Sequence, residues 1–251
     1  MCSCARHVVP LLVPSGATCS QTNNLCDRLD ASGAHAMRLL FENQRVRISD
    51  FRLAAGALGG IERHEFPTIR WQVDDGRHQV KERSADGFAE PADVADKTVF
   101  WVDRGEPFCC KNAGDDEYRQ ICWELKEPPT RTEAQVRQRL AEALYSTDVG
   151  TSLLFENEYC RVWDFFLEPG AGDLGQPHHH VLDYCFVYVA PGRLLGSHHD
   201  GTPGLFDSVN DDGDVSWFDL PEGAPSDPTC AHGGKNGYDD RPMREYLVEL
   251  K

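Results

Sequence analysis

Apolar and polar residues alternate along two stretches of the chain, RVRISDFRL at 45–53 and CRVWDFFL at 160–167. Alternation with a period of two is typical of a β-strand with one buried face. Shorter apolar runs, TVFWV at 98–102 and CFVYVA at 185–190, have the length and composition of further strands. Glycine, proline and Asp-Gly turn signals separate these runs. The pattern therefore predicts an all-β fold built from short strands.

One segment, EPPTRTEAQVRQRLAEALYSTDVG at 127–150, has a helical pattern instead. Thr132 is followed three residues later by Gln135, which is the spacing of a capping box at a helix start. Val136, Leu140 and Leu144 then fall on one stripe of a helix. We expect a linker helix of about three turns that packs on one of the β-structures.

The chain contains an internal repeat. LLFENQRVRISDF at 39–51 and LLFENEYCRVWDF at 153–165 are the same phrase at an offset of 114 residues. The two copies also end alike, with Lys-Asn, Asp-Asp and then CWELK at 122–126 or LVELK at 247–251. A repeat of this length indicates a duplicated structural unit. Because the Phe-Glu-Asn phrase occurs in both copies, we expect it to have a structural role.

Charge and composition restrict the partners. The 251 residues include 25 Lys and Arg against 41 Asp and Glu, a net charge of −16. Such a chain is expected to repel nucleic acid and anionic membrane surfaces, but the charge says little about the substrate. We find no apolar run near the roughly 20 residues of a membrane span, and the N-terminus is a poor secretory signal.

The ten cysteines include no two CxxC pairs, and several lie inside strand-like runs. A reduced, intracellular location is therefore expected, either cytoplasmic or organellar. The organellar alternative stays open because residues 1–26 contain Arg6 and no acidic residue.

Three consecutive histidines occur in PHHHVLDYC at 177–185. In an extended strand, His178 and His180 would face one way, about 6–7 Å apart, and His179 the other way. His232, in AHGGKNG at 231–237, is the natural third partner because it opens a later segment of the same unit. Three imidazoles on adjacent strands can bind one face of a metal ion.

These residues resemble the two sequence motifs of the cupin superfamily. The first motif is represented by Gly170, His178-x-His180 and Gly192, and the second by Pro221-Glu222-Gly223, His232 and Asn236. Because the unit is duplicated, the chain resembles the two-domain members, the bicupins. The resemblance implies tandem jelly-roll barrels joined by one α-helix, with His178, His180 and His232 as metal ligands in the second barrel. It also implies an N-terminal arm (1–37), a first cupin domain (38–126), a helical linker (127–150) and a metal-binding second cupin domain (151–251).

The chain departs from the motif at its carboxylate. The cupin glutamate is expected where this sequence has Tyr184 or Cys185. Asp183 lies one position too early, on the opposite strand face from His180, and would need a bulge to bind the metal. Tyr184 shares the face of the histidines and is expected to line the pocket, so Tyr184 and Asp183 are the candidate catalytic residues.

The first unit is expected to have a degenerate site. Its His64 corresponds either to His178 or to His180, and Phe108 stands where the second unit has His232.

The resemblance suggests three functions. The favoured one is an oxygenase that uses Fe(II) at a three-histidine site. The alternatives are a zinc- or manganese-dependent lyase, hydratase or isomerase, in which Tyr184 or Asp183 acts as acid or base, and a non-catalytic cupin that binds a metal or small molecule. Nickel is a further candidate metal, and a homodimer is also consistent with the fold.

Overall fold

The structure, a computed structural model, describes residues 35–82, 87–105, 107–172 and 176–251. The contacts divide the chain after Glu127 into two compact units. The N-terminal unit contains the described residues up to Glu127, and the C-terminal unit contains Pro128–Lys251. Residues 1–34 of the predicted N-terminal arm (1–37) lie outside the described residues. Residues 35–37 belong to the first strand.

The N-terminal unit is built entirely of strands where it is described. They are β1 (His35–Glu42), β2 (Val46–Leu53), β3 (Leu58–Arg63), β4 (Thr68–Gln72), β5 (Gly76–Glu82), β6 (Ala92–Val94), β7 (Val99–Val102), β8 (Pro107–Asn112) and β9 (Tyr118–Leu125). One sheet has the order β1-β2-β9-β4-β7 and the other β3-β8-β5-β6. All the pairings are antiparallel.

The C-terminal unit has the same two-sheet plan after one helix. Its elements are α1 (Glu133–Glu142), β10 (Ser152–Glu156), β11 (Cys160–Leu167), β12 (Asp183–Tyr188), β13 (Gly192–His198), β14 (Pro203–Asn210), β15 (Val215–Phe218), β16 (His232–Asn236) and β17 (Met243–Leu250). Two short 3₁₀ turns, Ala224–Ser226 and Pro228–Cys230, precede β16. The sheets have the orders β10-β11-β17-β12-β15 and β14-β13-β16. The predicted all-β fold of tandem jelly-roll barrels is confirmed.

The Phe-Glu-Asn repeat has the structural role expected of it. In each copy the asparagine side chain caps the turn into the next strand: Asn43 Oδ1 accepts hydrogen bonds from the Arg45 and Val46 amides, both at 2.8 Å. Asn157 does the same in the second unit, with the amides of residues 159 and 160. In each copy the glutamate also binds the lysine that ends the unit, Glu42 with Lys126 at 2.9 Å and Glu156 with Lys251 at 2.6 Å.

The helix starts where the capping box places it. The Thr132 side chain accepts from the Gln135 amide, and the Gln135 side chain accepts from the Thr132 amide. Val136 and Leu140 pack against Val181 and Leu182, which follow the histidine triplet, so the helix covers the C-terminal barrel as predicted. The prediction for Leu144 is wrong, because the helix ends at Glu142 and the Leu144 side chain is 57% exposed.

The core of the C-terminal barrel is aromatic. Trp163, Tyr184, Tyr188, Met243 and Leu247 are buried together in one cluster. Strand β17 is buried along almost all its length because it lies between β11 and β12 in the centre of its sheet. None of the helices in the described ranges has the length and apolar character needed to cross a membrane.

Candidate metal centre

The backbone brings His178 and His232 together directly. The two residues form an isolated antiparallel bridge, in which the His178 amide donates to the His232 carbonyl at 3.0 Å and the His232 amide donates back at 3.1 Å. His180 completes the group. The ring centroids of the three pairs lie 4.8–5.4 Å apart. The structure thus places the three residues of the predicted site next to one another.

The local structure of the triplet differs from the expected strand. Residues 179–182 are not in a strand, and β12 begins only at Asp183. The extended backbone still alternates the side chains, so His178 and His180 line the cavity whereas His179 does not. His179 is not on an outer surface either. It is 0% exposed, with its Nε2 atom 3.1 Å from the Asp227 carbonyl oxygen and the Tyr145 ring against its face.

The three imidazoles suit a divalent transition metal. One ring nitrogen from each of the three lies within 4.8 Å of the others. Nitrogen ligands of one tetrahedral ion lie roughly 3.5 Å apart, so small side-chain rotations close the site. Burial lowers the pKa of His178 and His180 well below the ordinary value and that of His232 to about 4. Neutral imidazole is the form that binds a metal.

The ring of His232 also forms a hydrogen bond with the backbone of Cys230. Such a bond fixes the tautomer and leaves the other ring nitrogen for a ligand.

Glu249 lies behind His180, and the sequence pattern did not identify it. Its Oε1 atom is 3.6 Å from His180 Nδ1, and its Oε2 atom accepts hydrogen bonds from Arg161 at 2.9 Å and from the Trp163 indole at 3.0 Å. A carboxylate on Nδ1 directs Nε2 of the imidazole toward a metal. The available signal was the repeat itself, since Glu249 and Glu124 occupy the same place in LVELK and CWELK.

Of the three residues near the missing cupin glutamate, Tyr184 alone lines the cavity. Its ring stacks on His180 with centroids 3.6 Å apart and planes 7° from parallel. Asp183 is turned away, because its carboxylate accepts a hydrogen bond from the Leu220 amide at 2.7 Å. Cys185 is fully buried on the opposite face of β12 from Tyr184. The structure thus brings Tyr184 to the histidines and does not bring Asp183.

The histidines lie in a cavity of about 360 Å³, at the small end of the range for ligand pockets. Its walls are largely aromatic and aliphatic, formed among others by Val149, Phe165, Phe186, Leu194, Phe206, Phe218 and Leu247. Gly196 lets the Phe206 ring cover β13, because a Cβ atom at position 196 would lie 2.4 Å from that ring. Such walls exclude water from the ligand.

Among its described residues, the first barrel retains the histidine, the glutamate and the arginine of this arrangement but not the other two histidines. His64 Nδ1 lies 3.7 Å from Glu124 Oε1, as His180 does from Glu249. Since Glu124 and Glu249 are equivalent in the repeat, His64 corresponds to His180, and Glu62 stands where the second unit has His178. Among the described residues, the three histidines of the second barrel form the one group with metal-binding spacing.

Comparison with known proteins gives similarity in structure only. No protein-family model matches the sequence, and no curated protein matches it significantly. AerE from Microcystis aeruginosa is similar in structure, with a TM-score of 0.55 at 10% identity, over 86% of this chain and 91% of that chain. A deletion mutant of Bacillus subtilis oxalate decarboxylase has a TM-score of 0.51 at 13% identity, over 86% and 72%. A second structure of oxalate decarboxylase has a TM-score of 0.50, with the same identity and coverage. These similarities extend over both units and concern the fold.

Proposed function

We propose that this chain, which has the fold of a bicupin, is a divalent-metal-dependent enzyme that converts a small molecule in its C-terminal barrel. The observation that supports this most is the position of three neutral histidines, two buried and one half-buried, at a mostly apolar cavity. Three protein ligands leave positions of a metal ion open to a substrate. The first barrel lacks an equivalent histidine set among the described residues and is assigned a structural role.

Each neighbouring residue has a definite task in this proposal. A bound divalent ion would supply an electrophilic centre that polarises a substrate oxygen or activates a small molecule. His178, His180 and His232 would hold it, while Glu249 and the Cys230 carbonyl orient two of the rings. Tyr184 fixes the plane of His180 by stacking. The aromatic walls exclude water and orient the body of the substrate.

The preferred reaction class is oxygen-dependent chemistry with iron(II). A set of three neutral histidines, without a carboxylate, keeps the full charge of the ion available to an anionic substrate and leaves room for dioxygen beside it. Small aromatic or branched carboxylic acids suit the size and walls of the cavity.

A non-redox reaction with zinc or manganese is the second candidate. The position of Tyr184 favours it, because a phenol that lines the cavity beside His180 can carry a proton to or from a substrate. Such an enzyme would be a lyase, hydratase or isomerase. Asp183 is less well placed for this role, because it does not line the cavity and its carboxylate accepts a hydrogen bond from the Leu220 amide.

Oxygen uptake separates the two reaction classes. The untagged full chain is stripped of metal and reloaded with iron(II), zinc or manganese, and each form is incubated with a panel of small aromatic acids. The oxygenase is supported if only the iron-loaded protein takes up oxygen and if the His178→Ala variant does not. Turnover without oxygen in the zinc or manganese form supports the second class. If no loaded form turns over any acid but the chain still retains metal, the protein is a binding cupin.

A further inference from the structure

Glu245 is a buried carboxylate that lines the metal-site cavity. It lies on β17, its side chain is part of the cavity wall, and the residue is 2% exposed. Its Oε1 atom makes no hydrogen bond of good geometry among the described residues, although the Tyr188 hydroxyl lies next to the carboxyl group. A buried carboxyl oxygen without such a hydrogen bond is costly, so its presence in a cavity wall calls for a ligand that satisfies it.

Glu245 and the histidines lie far apart along the cavity. Residues 245, 247 and 249 share one face of β17, and Glu249 at one end contacts His180. Four residues of strand separate Glu245 from Glu249, which corresponds to about 13 Å. Between these two polar ends the wall is apolar and includes Leu247, Phe165 and Phe218. The cavity wall thus carries polar groups at Glu245 and at the histidines, with apolar residues between them.

The first barrel shows that this position does not need a carboxylate to fold. In the alignment of CWELK with LVELK, Gln120 occupies the place of Glu245. Gln120 is also buried, but it is neutral, and its amide nitrogen donates to the Tyr118 hydroxyl at 2.6 Å and to Gln72 Oε1 at 3.3 Å. The metal-binding barrel therefore carries a carboxyl group where the degenerate barrel has an amide bound to its own neighbours.

Burial also changes the chemistry of Glu245. It raises the pKa of the carboxyl group to about 7, although the adjacent Tyr188 hydroxyl acts in the opposite direction. A desolvated carboxyl group forms a stronger hydrogen bond with a ligand than one exposed to water.

We propose that Glu245 determines substrate specificity by accepting a hydrogen bond from a hydroxyl or amine group at the far end of an elongated ligand. The ligand class is a small acid with a flat apolar body, whose anionic head faces the three histidines and whose donor lies about 10 Å away, within the 13 Å of strand. The aromatic walls accommodate the flat body. The proposed contact of the ligand's donor group depends on Glu245 alone. The proposed position of its anionic head depends on the function proposed above.

Two acids that differ by one hydroxyl group test this proposal. The full chain is loaded with zinc, which has no redox chemistry, and titrated calorimetrically with 3-phenylpropanoate and with 3-(4-hydroxyphenyl)propanoate. The wild-type protein is expected to bind the hydroxylated acid about tenfold more tightly, the size of one hydrogen bond to a buried acceptor. Glu245→Leu should reduce this preference to less than about twofold, whereas Glu245→Gln keeps an acceptor oxygen and should keep part of the preference.

Gln120→Leu is the matched control, because Gln120 occupies the position of Glu245 in the first barrel. It should retain the full preference. The proposal is overturned if wild-type protein binds neither acid, binds both equally, or if Glu245→Leu retains the preference while binding one zinc ion.

Removal of zinc distinguishes the two proposals. If the head faces the metal, zinc removal weakens both acids by the same factor and leaves their ratio unchanged. If affinity does not respond to zinc but the preference persists, the metal-dependent function fails and the role of Glu245 stands.

Discussion

His180 Nδ1 lies 3.6 Å from Glu249 Oε1, so the side chain of Glu249 lies beside this ring nitrogen. The same relationship occurs in the first barrel between His64 and Glu124, at 3.7 Å. An arginine binds the other carboxylate oxygen in each case, Arg161 at 2.9 Å and its counterpart in the first barrel at 3.2 Å. The His–Glu–Arg arrangement is therefore common to both barrels, whereas the histidine triad is found in the second.

Replacement of Glu249 by Gln should weaken metal binding about 10- to 100-fold. The amide keeps the shape of the side chain and an acceptor oxygen, but it removes the carboxyl group that lies beside His180 Nδ1. The dissociation constant for zinc, measured by competition with a chromogenic chelator, gives the effect directly.

Glu124→Gln is the matched control for this measurement. It removes the equivalent carboxylate from a barrel without the triad, so zinc affinity should remain within about twofold of wild type. Equal losses in the two variants would mean that the carboxylates act on folding and not on the metal.

Asn236 should be important for the stability of the second barrel. Its side-chain nitrogen donates to the carbonyls of Leu167, Glu168 and Arg241 at 2.8–3.2 Å, which joins β16 to two loops. Asn236→Ala leaves these carbonyls without a donor and is expected to lower the free energy of unfolding by about 2–3 kcal/mol.

Asn112 makes the equivalent three bonds in the first barrel, at 2.8–3.1 Å. Asn112→Ala should therefore produce a similar loss that is confined to its own unit. Hydrogen-exchange mass spectrometry under increasing urea resolves the two units. A loss below about 0.5 kcal/mol for either variant would contradict the role given to these side chains.

Stability should depend on pH through Glu245. Burial raises the pKa of this carboxyl group from 4.5 in the unfolded chain to about 7 in the folded chain. Its stabilising contribution is therefore full below pH 4.5 and is lost as the pH rises through 7. Compared with wild type, Glu245→Gln should be equally stable at pH 4.5 and more stable at pH 8, by about 1–3 kcal/mol. Urea unfolding at both pH values gives the difference in free energy of unfolding between the two proteins. Equal stability at pH 8 would show that the carboxyl group is not desolvated.

The alternation of residues and the repeat were sufficient to predict a duplicated all-β unit and a linking helix, and the resemblance to the cupin motifs implied that each unit is a barrel. They also placed His178, His180 and His232 together, because side-chain alternation survives in an extended backbone even where no strand forms. Asp183, the other predicted catalytic residue, does not line the cavity. Its carboxylate is engaged by the Leu220 amide, a contact between distant parts of the chain that no local pattern reveals.

Glu249 and Glu245 were not predicted for a related reason. Both lie in a buried strand, where glutamate is unexpected, and their position relative to the histidines depends on how β17 pairs with β12. A strand pairing of this kind is not readable from the sequence of either strand. The repeat offered partial information. Both copies have the glutamate of CWELK and LVELK, whereas the first copy has Gln120 where the second has Glu245.

The metal content of the untagged full chain tests the central proposal most directly. Elemental analysis after dialysis should find about one divalent transition-metal ion per chain in the wild-type protein, and in His179→Gln, whose side chain does not line the cavity. The double variant His178→Ala/His232→Ala should retain less than about a tenth of that amount while keeping its β-sheet circular dichroism. A wild-type chain that takes up no metal at micromolar concentrations, or a double variant that retains the full amount, would contradict the three-histidine metal site.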